Sequence, residues 1–188
     1  MDLDSPIDSY RTGGAPMWGW FGIAAGGLIV VLSLVVDGFP RAFGSIGVGF
    51  AVMLVSYATF MRPSVDVHRS GIVVRNIIRN AYVPFARMAD LSTQWGLEIL
   101  TDDGKKVSAF AAPDPQRRDR KKPPSEHKSA PLVAMVRGGE EAWLESDERP
   151  ADTAAAAGQP SVQRSWDWTG VAFVLGAAAI VVLGFLLA

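Results

Sequence analysis

From Met17 to Val36 no residue is ionisable. The run WGWFGIAAGGLIVVLSLVV is long enough, at about 1.5 Å per residue, to cross a hydrocarbon core of roughly 30 Å as a helix. A second uncharged run, Ala42 to Met61, follows the short connection Asp37-Gly38-Phe39-Pro40-Arg41, so the two are expected to form a tight helical hairpin. The third run, Thr169 to Ala188, reads TGVAFVLGAAAIVVLGFLLA and is expected to be a terminal span. A buried soluble helix normally keeps a polar stripe, which these runs lack. Asp2, Asp4 and Asp8 against Arg11 ahead of the first run argue against a cleaved signal peptide.

Between the second and third runs the pattern changes to short β-like segments punctuated by turn residues. Ser64 to His68 alternates, Arg69-Ser70-Gly71 turns, and Ile72 to Arg79 is rich in β-branched residues. Asn80-Ala81 is expected to turn next. Tyr82-Val83-Pro84-Phe85, running on through Met88 and Leu91, forms a third strand, with Pro84 pointing to an edge or a strand start. Trp95 to Leu100 and Lys105 to Phe110 flank Asp102-Asp103-Gly104, a strong hairpin signal. The expectation is a meander of about five strands. Ile72, Val74, Ile78, Leu97, Ile99 and Val107 are expected in its core.

Charge position orients the spans. Arg41 is the basic residue of the hairpin connection, whereas Arg62, Arg69, Arg75 and Arg79 follow the second run. The positive-inside rule then places the amino terminus and the central segment in the cytoplasm and the carboxyl terminus outside. Trp18, Trp20, Tyr57, Phe60, Trp166 and Trp168 fall at the span ends this topology assigns to the cytoplasmic interface. Gly19, Gly22 and Gly26 follow helical spacing on the first span, and Ser45 with Gly49 repeats the small-xxx-small spacing on the second. These faces can pack within one molecule or against a foreign helix. The absence of ionisable residues inside the spans disfavours a transporter or pump. Asp167, at the start of the third span, complements the helix dipole.

Composition narrows the chemistry. There is no cysteine, and His68 and His127 are the two imidazoles. Thiolate chemistry is therefore excluded, and a metal site is not expected. The soluble part holds no P-loop, HExxH, GxSxG or dinucleotide fingerprint. Gly44-Ser45-Ile46-Gly47-Val48-Gly49 belongs to span packing. Asp102 with Asp103, and Glu140 with Glu141, read as solvated carboxylates. No enzyme activity, cofactor or small-molecule substrate is expected.

The stretch Pro113 to Ser129 carries Arg117, Arg118, Arg120, Lys121 and Lys122 beside Pro123-Pro124, and Arg149 to Ser165 is rich in Ala, Gly and Pro. Both read as mobile linkers. The basic cluster is either a docking site for anionic headgroups or a solvated loop. Without interleaved aromatic residues it is a poor nucleic-acid platform.

The succession Arg62-Pro63, Gly71-Ile72-Val73-Val74-Arg75-Asn76, Val83-Pro84-Phe85 with Met88, Leu97-Glu98-Ile99-Leu100 and Asp103-Gly104-Lys105-Lys106-Val107 resembles the bacterial PH domain of the low-molecular-weight protein antigen 6 type. In that family a membrane hairpin is commonly followed by such a domain. A Trp is usual in the family where this chain has Phe85, and the insertion after the last strand and the third span are additions. The resemblance implies a small twisted sheet or partial barrel closed by a helix. Ala130 to Glu148 is the candidate, with Leu132, Met135, Val136, Trp143 and Leu144 as its apolar face. Gly138-Gly139 is expected to interrupt it, at about 1 kcal/mol per glycine, leaving Glu140 to Glu148 the firmer part.

The expected architecture is thus three transmembrane helices plus a small, mainly β, PH-like domain. Residues 1–16 are an N-terminal tail, 17–61 the hairpin, 62–148 the domain with insertion 113–129, 149–166 a linker and 167–188 the last span. Two functions fit. One is a non-catalytic, membrane-anchored module that binds a protein or lipid headgroups through a basic surface of Arg69, Arg75, Arg79, Lys105 and Lys106. The other is an accessory or assembly subunit of a larger respiratory or cell-envelope complex, its Gly19, Gly22 and Gly26 face occupied by a foreign helix.

Overall fold

The computed structural model describes residues 5–39, 41–92, 97–111 and 130–187. In chain order the elements are β1 (Asp8–Tyr10), α1 (Ala15–Asp37), α2 (Phe43–Ser56) with a π-helical turn Tyr57–Met61, β2 (Ser64–His68), β3 (Gly71–Arg75) and β4 (Arg79–Pro84). A 3-10 turn at Phe85–Arg87 leads to β5 (Met88–Ser92), β6 (Leu97–Thr101) and β7 (Lys106–Ala109). Last come α3 (Ala130–Leu144), α4 (Arg149–Ala157), β8 (Gln163–Trp166) and α5 (Trp168–Leu187). The chain divides into a helical unit, 13–63 with 166–188, and a mainly β unit, 1–12 with 64–165.

In the helical unit, Ala15–Asp37, Phe43–Met61 and Trp168–Leu187 are long and apolar enough to cross a membrane, with mean hydropathies of 2.2, 1.7 and 2.7. α2 packs against both of the others through glycine. A Cβ on Gly26 of α1 would stand 2.5 Å from the carbonyl oxygen of Gly49, and one on Gly49 would stand 2.6 Å from Val30 Cγ2. On the other side, a Cβ on Gly47 would meet the Ile180 carbonyl at 2.7 Å, and one on Gly184 the Phe43 carbonyl at 2.7 Å. Backbones this close gain dispersion contact that larger side chains would forfeit, which is how helices associate where lipid offers no hydrophobic drive. Asp167 accepts the Gly170 amide at the start of α5 and also takes the Arg62 guanidinium at 2.8 Å. Arg62 in turn lies over the Phe173 ring, 5.5 Å from its centre.

In the β unit, one antiparallel sheet has the order β1-β2-β3-β4-β8 and a second the order β5-β6-β7. Val65 pairs with Val74 and Val67 with Ile72, so the alternation of these strands turns valine and isoleucine to one face. That face shares a core with Leu97, Ile99 and Val107 of the second sheet and with Leu132, Val136 and Trp143 of α3. Five of the six expected core residues are there.

The sixth, Ile78, is 38% exposed, because the strand expected to run to Arg79 stops at Arg75. The Asn76 amide donates to the Arg79 carbonyl, so Ile77 and Ile78 form the turn and Asn80-Ala81 belongs to β4. The third strand is likewise broken: the turn at Phe85–Arg87 passes the chain from the first sheet to the second. Among the described residues between 64 and 109 there are six strands, rather than about five. The N-terminal tail contributes a strand, since β1 pairs antiparallel with β2. Nor is 149–165 a mobile linker: α4 and β8 occupy it, with Trp143 Nε1 donating to Asp152 and Arg87 donating to the carbonyls of Ala156 and Gln159.

α3 runs unbroken through Gly138-Gly139, against expectation. Gly139 is a contact point, since a Cβ there would fall 2.5 Å from Val67 Cγ1, whereas nothing lies within 4 Å of one on Gly138. Gly138→Ala is therefore expected to stabilise the β unit by about 1 kcal/mol. Gly139→Ala is expected to destabilise it by about 1–3 kcal/mol through overpacking. Thermal denaturation followed by circular dichroism of the two variants checks the opposite signs.

Candidate functional site

The five basic residues expected to make one surface do not form one patch. Arg69 sits in the β2–β3 turn, beside a groove of about 360 Å³ that Trp143, Asp147 and Glu148 also line. Arg75 lies at the opposite end of that hairpin, paired with Ser64, and Arg79 opens the following strand. Lys105 is drawn into the β6–β7 turn, where its Nζ is 2.7 Å from Asp103 and 3.3 Å from Ser161 Oγ. Lys106 lies exposed on β7. Arg117, Arg118, Arg120, Lys121 and Lys122 fall outside the described residues.

The Lys105 turn is a structural knot. Asp103 takes the Lys105 ammonium and accepts hydrogen bonds from Thr101 Oγ1 at 2.6 Å and Ser161 Oγ at 2.7 Å. These partners hold its carboxyl well below the usual carboxylate range. Asp102 is met by Arg87 Nε at 2.6 Å. Asp103 thus ties the hairpin to the segment before β8 and Asp102 ties it to the Phe85–Arg87 turn, where solvation was expected to explain both. Among the described residues no group of three or more His, Asp or Glu is placed to hold a metal ion.

The Arg75–Arg79 end is organised differently. Asn76 donates through Nδ2 to the Ser108 carbonyl at 3.1 Å and accepts the Phe110 amide at 2.8 Å through Oδ1. One side chain thereby staples the β3–β4 turn of the first sheet to the end of β7 in the second. Exposed around this staple are Ile78 and Phe110, the latter at 54%, together with Arg75 and Arg79. Arg75 also holds the buried Asp66 carboxylate at 2.7 Å, which accepts Ser9 Oγ at 2.6 Å from the strand on the other side. Asn76 was the residue sequence reasoning missed. Its signal was the turn preference of Asn, outweighed by the flanking Val and Ile.

The helix-packing candidates resolve individually. Gly19 faces Met61 and Phe60, Gly22 faces Ser56, and Gly26 faces Gly49 and Met53, so the glycine face of α1 is filled by α2. Gly49 belongs to that seam, but Ser45 is exposed. Gly44, Gly47 and Gly184 make the second seam instead.

No protein-family model matches the chain, and no curated protein or solved structure matches it.

Proposed function

We propose that the chain is a non-catalytic, membrane-anchored interaction module whose PH-like β unit binds a protein partner or lipid headgroups at the cytoplasmic membrane face. The observation that carries this reading is that the glycine face of α1, which an accessory subunit would offer to a foreign helix, is occupied by the chain's own Gly49, Met53 and Ser56. The spans then serve as anchor, and the surface left for recognition belongs to the β unit. Two antiparallel sheets sharing a core with α3 support the PH-like description. The clustering of Arg62, Arg69, Arg75 and Arg79 after the second span supports the cytoplasmic placement.

Purification of the full chain in mild detergent tests the choice between module and subunit. The expected result is a chain that keeps its three-helix packing without a stoichiometric foreign membrane protein. Recovery of such a protein in fixed ratio would replace the module by the accessory-subunit reading.

A further inference from the structure

We infer that the β unit carries a binding pocket for a small primary amine that also bears an oxygen, a ligand of the amino-alcohol class. Asp152 takes the ammonium, and the Ser70–Tyr82 hydroxyl pair donates to the oxygen.

The pocket is built on the side of the first sheet that turns away from the shared core. Ala81 and Val83 of β4 belong to that core, so the alternation of the strand sends Tyr82 and Pro84 to the other face. Tyr82 lies against bare backbone there, since a Cβ on Gly71 would fall 2.8 Å from its Cε2. α4 covers this face. Asp152, Ala155 and Ala156 stand at i, i+3 and i+4 and so share one side of the helix, and the two alanines are too short to fill the space left against Pro84 and Ala86. Arg87 holds the end of α4 by donating to the carbonyls of Ala156 and Gln159. The result is a concave space of about 220 Å³, which Gln159 and Gln163 also line. Pockets for drug-sized ligands measure roughly 300–1,000 Å³, so the occupant of this one is small.

The polar groups on its walls have bonding capacity left over. Ser70 Oγ and Tyr82 Oη are 2.8 Å apart and share one hydrogen bond. Two hydroxyls carry two hydrogens, so one hydrogen finds no acceptor within the pair. Tyr82 is 7% exposed, and a buried donor is destabilising until an acceptor reaches it. Burial above all, with the Asp152 charge in addition, raises the Tyr82 hydroxyl above its ordinary pKa and so keeps it a donor.

Asp152 is the complementary group. Its Oδ2 accepts the Trp143 indole N–H at 2.9 Å, while Oδ1 meets no donor among the described residues. Among those residues no ion pair neutralises it either: Arg149 lies over the Trp143 ring, Arg87 is held by Asp102, and no lysine or arginine lines the pocket. Gln163 donates to Gln159 Oε1 and keeps its own carbonyl oxygen as a second acceptor. A carboxylate beside an amide oxygen suits a cation that has N–H bonds to give. A quaternary ammonium has none and calls for an aromatic cage, whereas Tyr82 is the one aromatic residue on these walls among the described residues. The same chemistry occurs in a free amino alcohol and in the headgroup of phosphatidylethanolamine.

The test uses the full chain, with isotope-labelled tryptophan, in phosphatidylcholine nanodiscs. Trp143 is a built-in reporter, because its indole N–H donates to the carboxylate that the amine engages. Its resonance is identified by its loss in Trp143→Phe. Titrated ethanolamine is expected to shift that resonance saturably, and choline to leave it in place. Ethylamine, which lacks the oxygen, should bind about threefold to tenfold more weakly. Asp152→Asn, whose amide oxygen can still accept the indole, should keep the fold and weaken ethanolamine binding about tenfold or more. Ser70→Ala combined with Tyr82→Phe should erase the preference for ethanolamine over ethylamine. In discs containing phosphatidylethanolamine, a Trp143 resonance already at its shifted position assigns the headgroup as the ligand, and an unmoved resonance that still answers ethanolamine assigns the free amine. A resonance moved neither by ethanolamine nor by that lipid, or moved equally in wild type and in Asp152→Asn, would overturn the pocket. An inert pocket would leave the module reading, decided by the purification result, as it stands.

Discussion

Substituting Gly26 by Leu is expected to unseat α1 from α2, lowering thermal stability in detergent by about 3 kcal/mol or more. The size follows from what the new side chain meets. A Cβ at this point faces the Gly49 carbonyl oxygen at 2.5 Å and Met53 Cγ at 2.6 Å. Overpacking in a well-packed interior typically costs about 1–3 kcal/mol when neighbouring side chains can move aside. Here part of the obstruction is backbone, which cannot. Gly27→Leu is the matched control, because nothing lies within 4 Å of a Cβ there, and it is expected to change stability little. Thermal unfolding of both variants, read by tryptophan fluorescence, gives the comparison. Equal stability of the two would mean that α1 and α2 do not meet along this seam.

Leu132→Ala is expected to cost the β unit about 2–5 kcal/mol, the usual range for a fully buried leucine. Leu132 is fully buried in the cluster shared by both sheets and α3. Its truncation leaves a cavity between helix and strands, and the surroundings recover only part of the lost contact. Leu144 lies at the end of the same helix but is 44% exposed, so Leu144→Ala should be nearly neutral. Chemical denaturation followed by near-ultraviolet dichroism reports the difference, since Trp143 is packed beside Phe85 in that core. Similar losses for the two leucines would contradict the assignment of the buried face.

The three long apolar helices were legible because an uncharged run of that length has few other uses. The strands from Ser64 to Val74 and from Leu97 to Val107 were legible from alternation and from the Asp-Asp-Gly turn. Strand ends were not. Ile77 and Ile78 read as strand because β-branched residues favour it, and Asn76 prevailed through partners more than thirty positions away, Ser108 and Phe110. α4 was hidden because its alanines suit either a helix or a linker. What holds it is Asp152 under Trp143 and the Arg87 bonds to its last turn, and these are tertiary contacts. The basic surface failed for a related reason: sequence proximity grouped Lys105 with Lys106, whereas Asp103 and Ser161 claim the first and leave the second exposed.

The strand order also sets a timetable for synthesis. β2, β3 and β4 emerge together and can pair at once, but β4's other neighbour is β8, which begins about 80 residues later. At about 5–20 residues per second the outer edge of β4 waits roughly 4–16 s for its partner. During that interval Tyr82 and Val83 sit on an unpaired strand, the kind of edge that recruits other chains. The second seam of α2 waits longer still, since Gly47 meets Ile180 and Gly184 of α5, which begins only at Trp168. A ribosome paused ahead of β8 therefore displays both an open sheet edge and an open glycine face. Those two surfaces are the ones a chaperone or insertion factor would have to shield until α5 arrives.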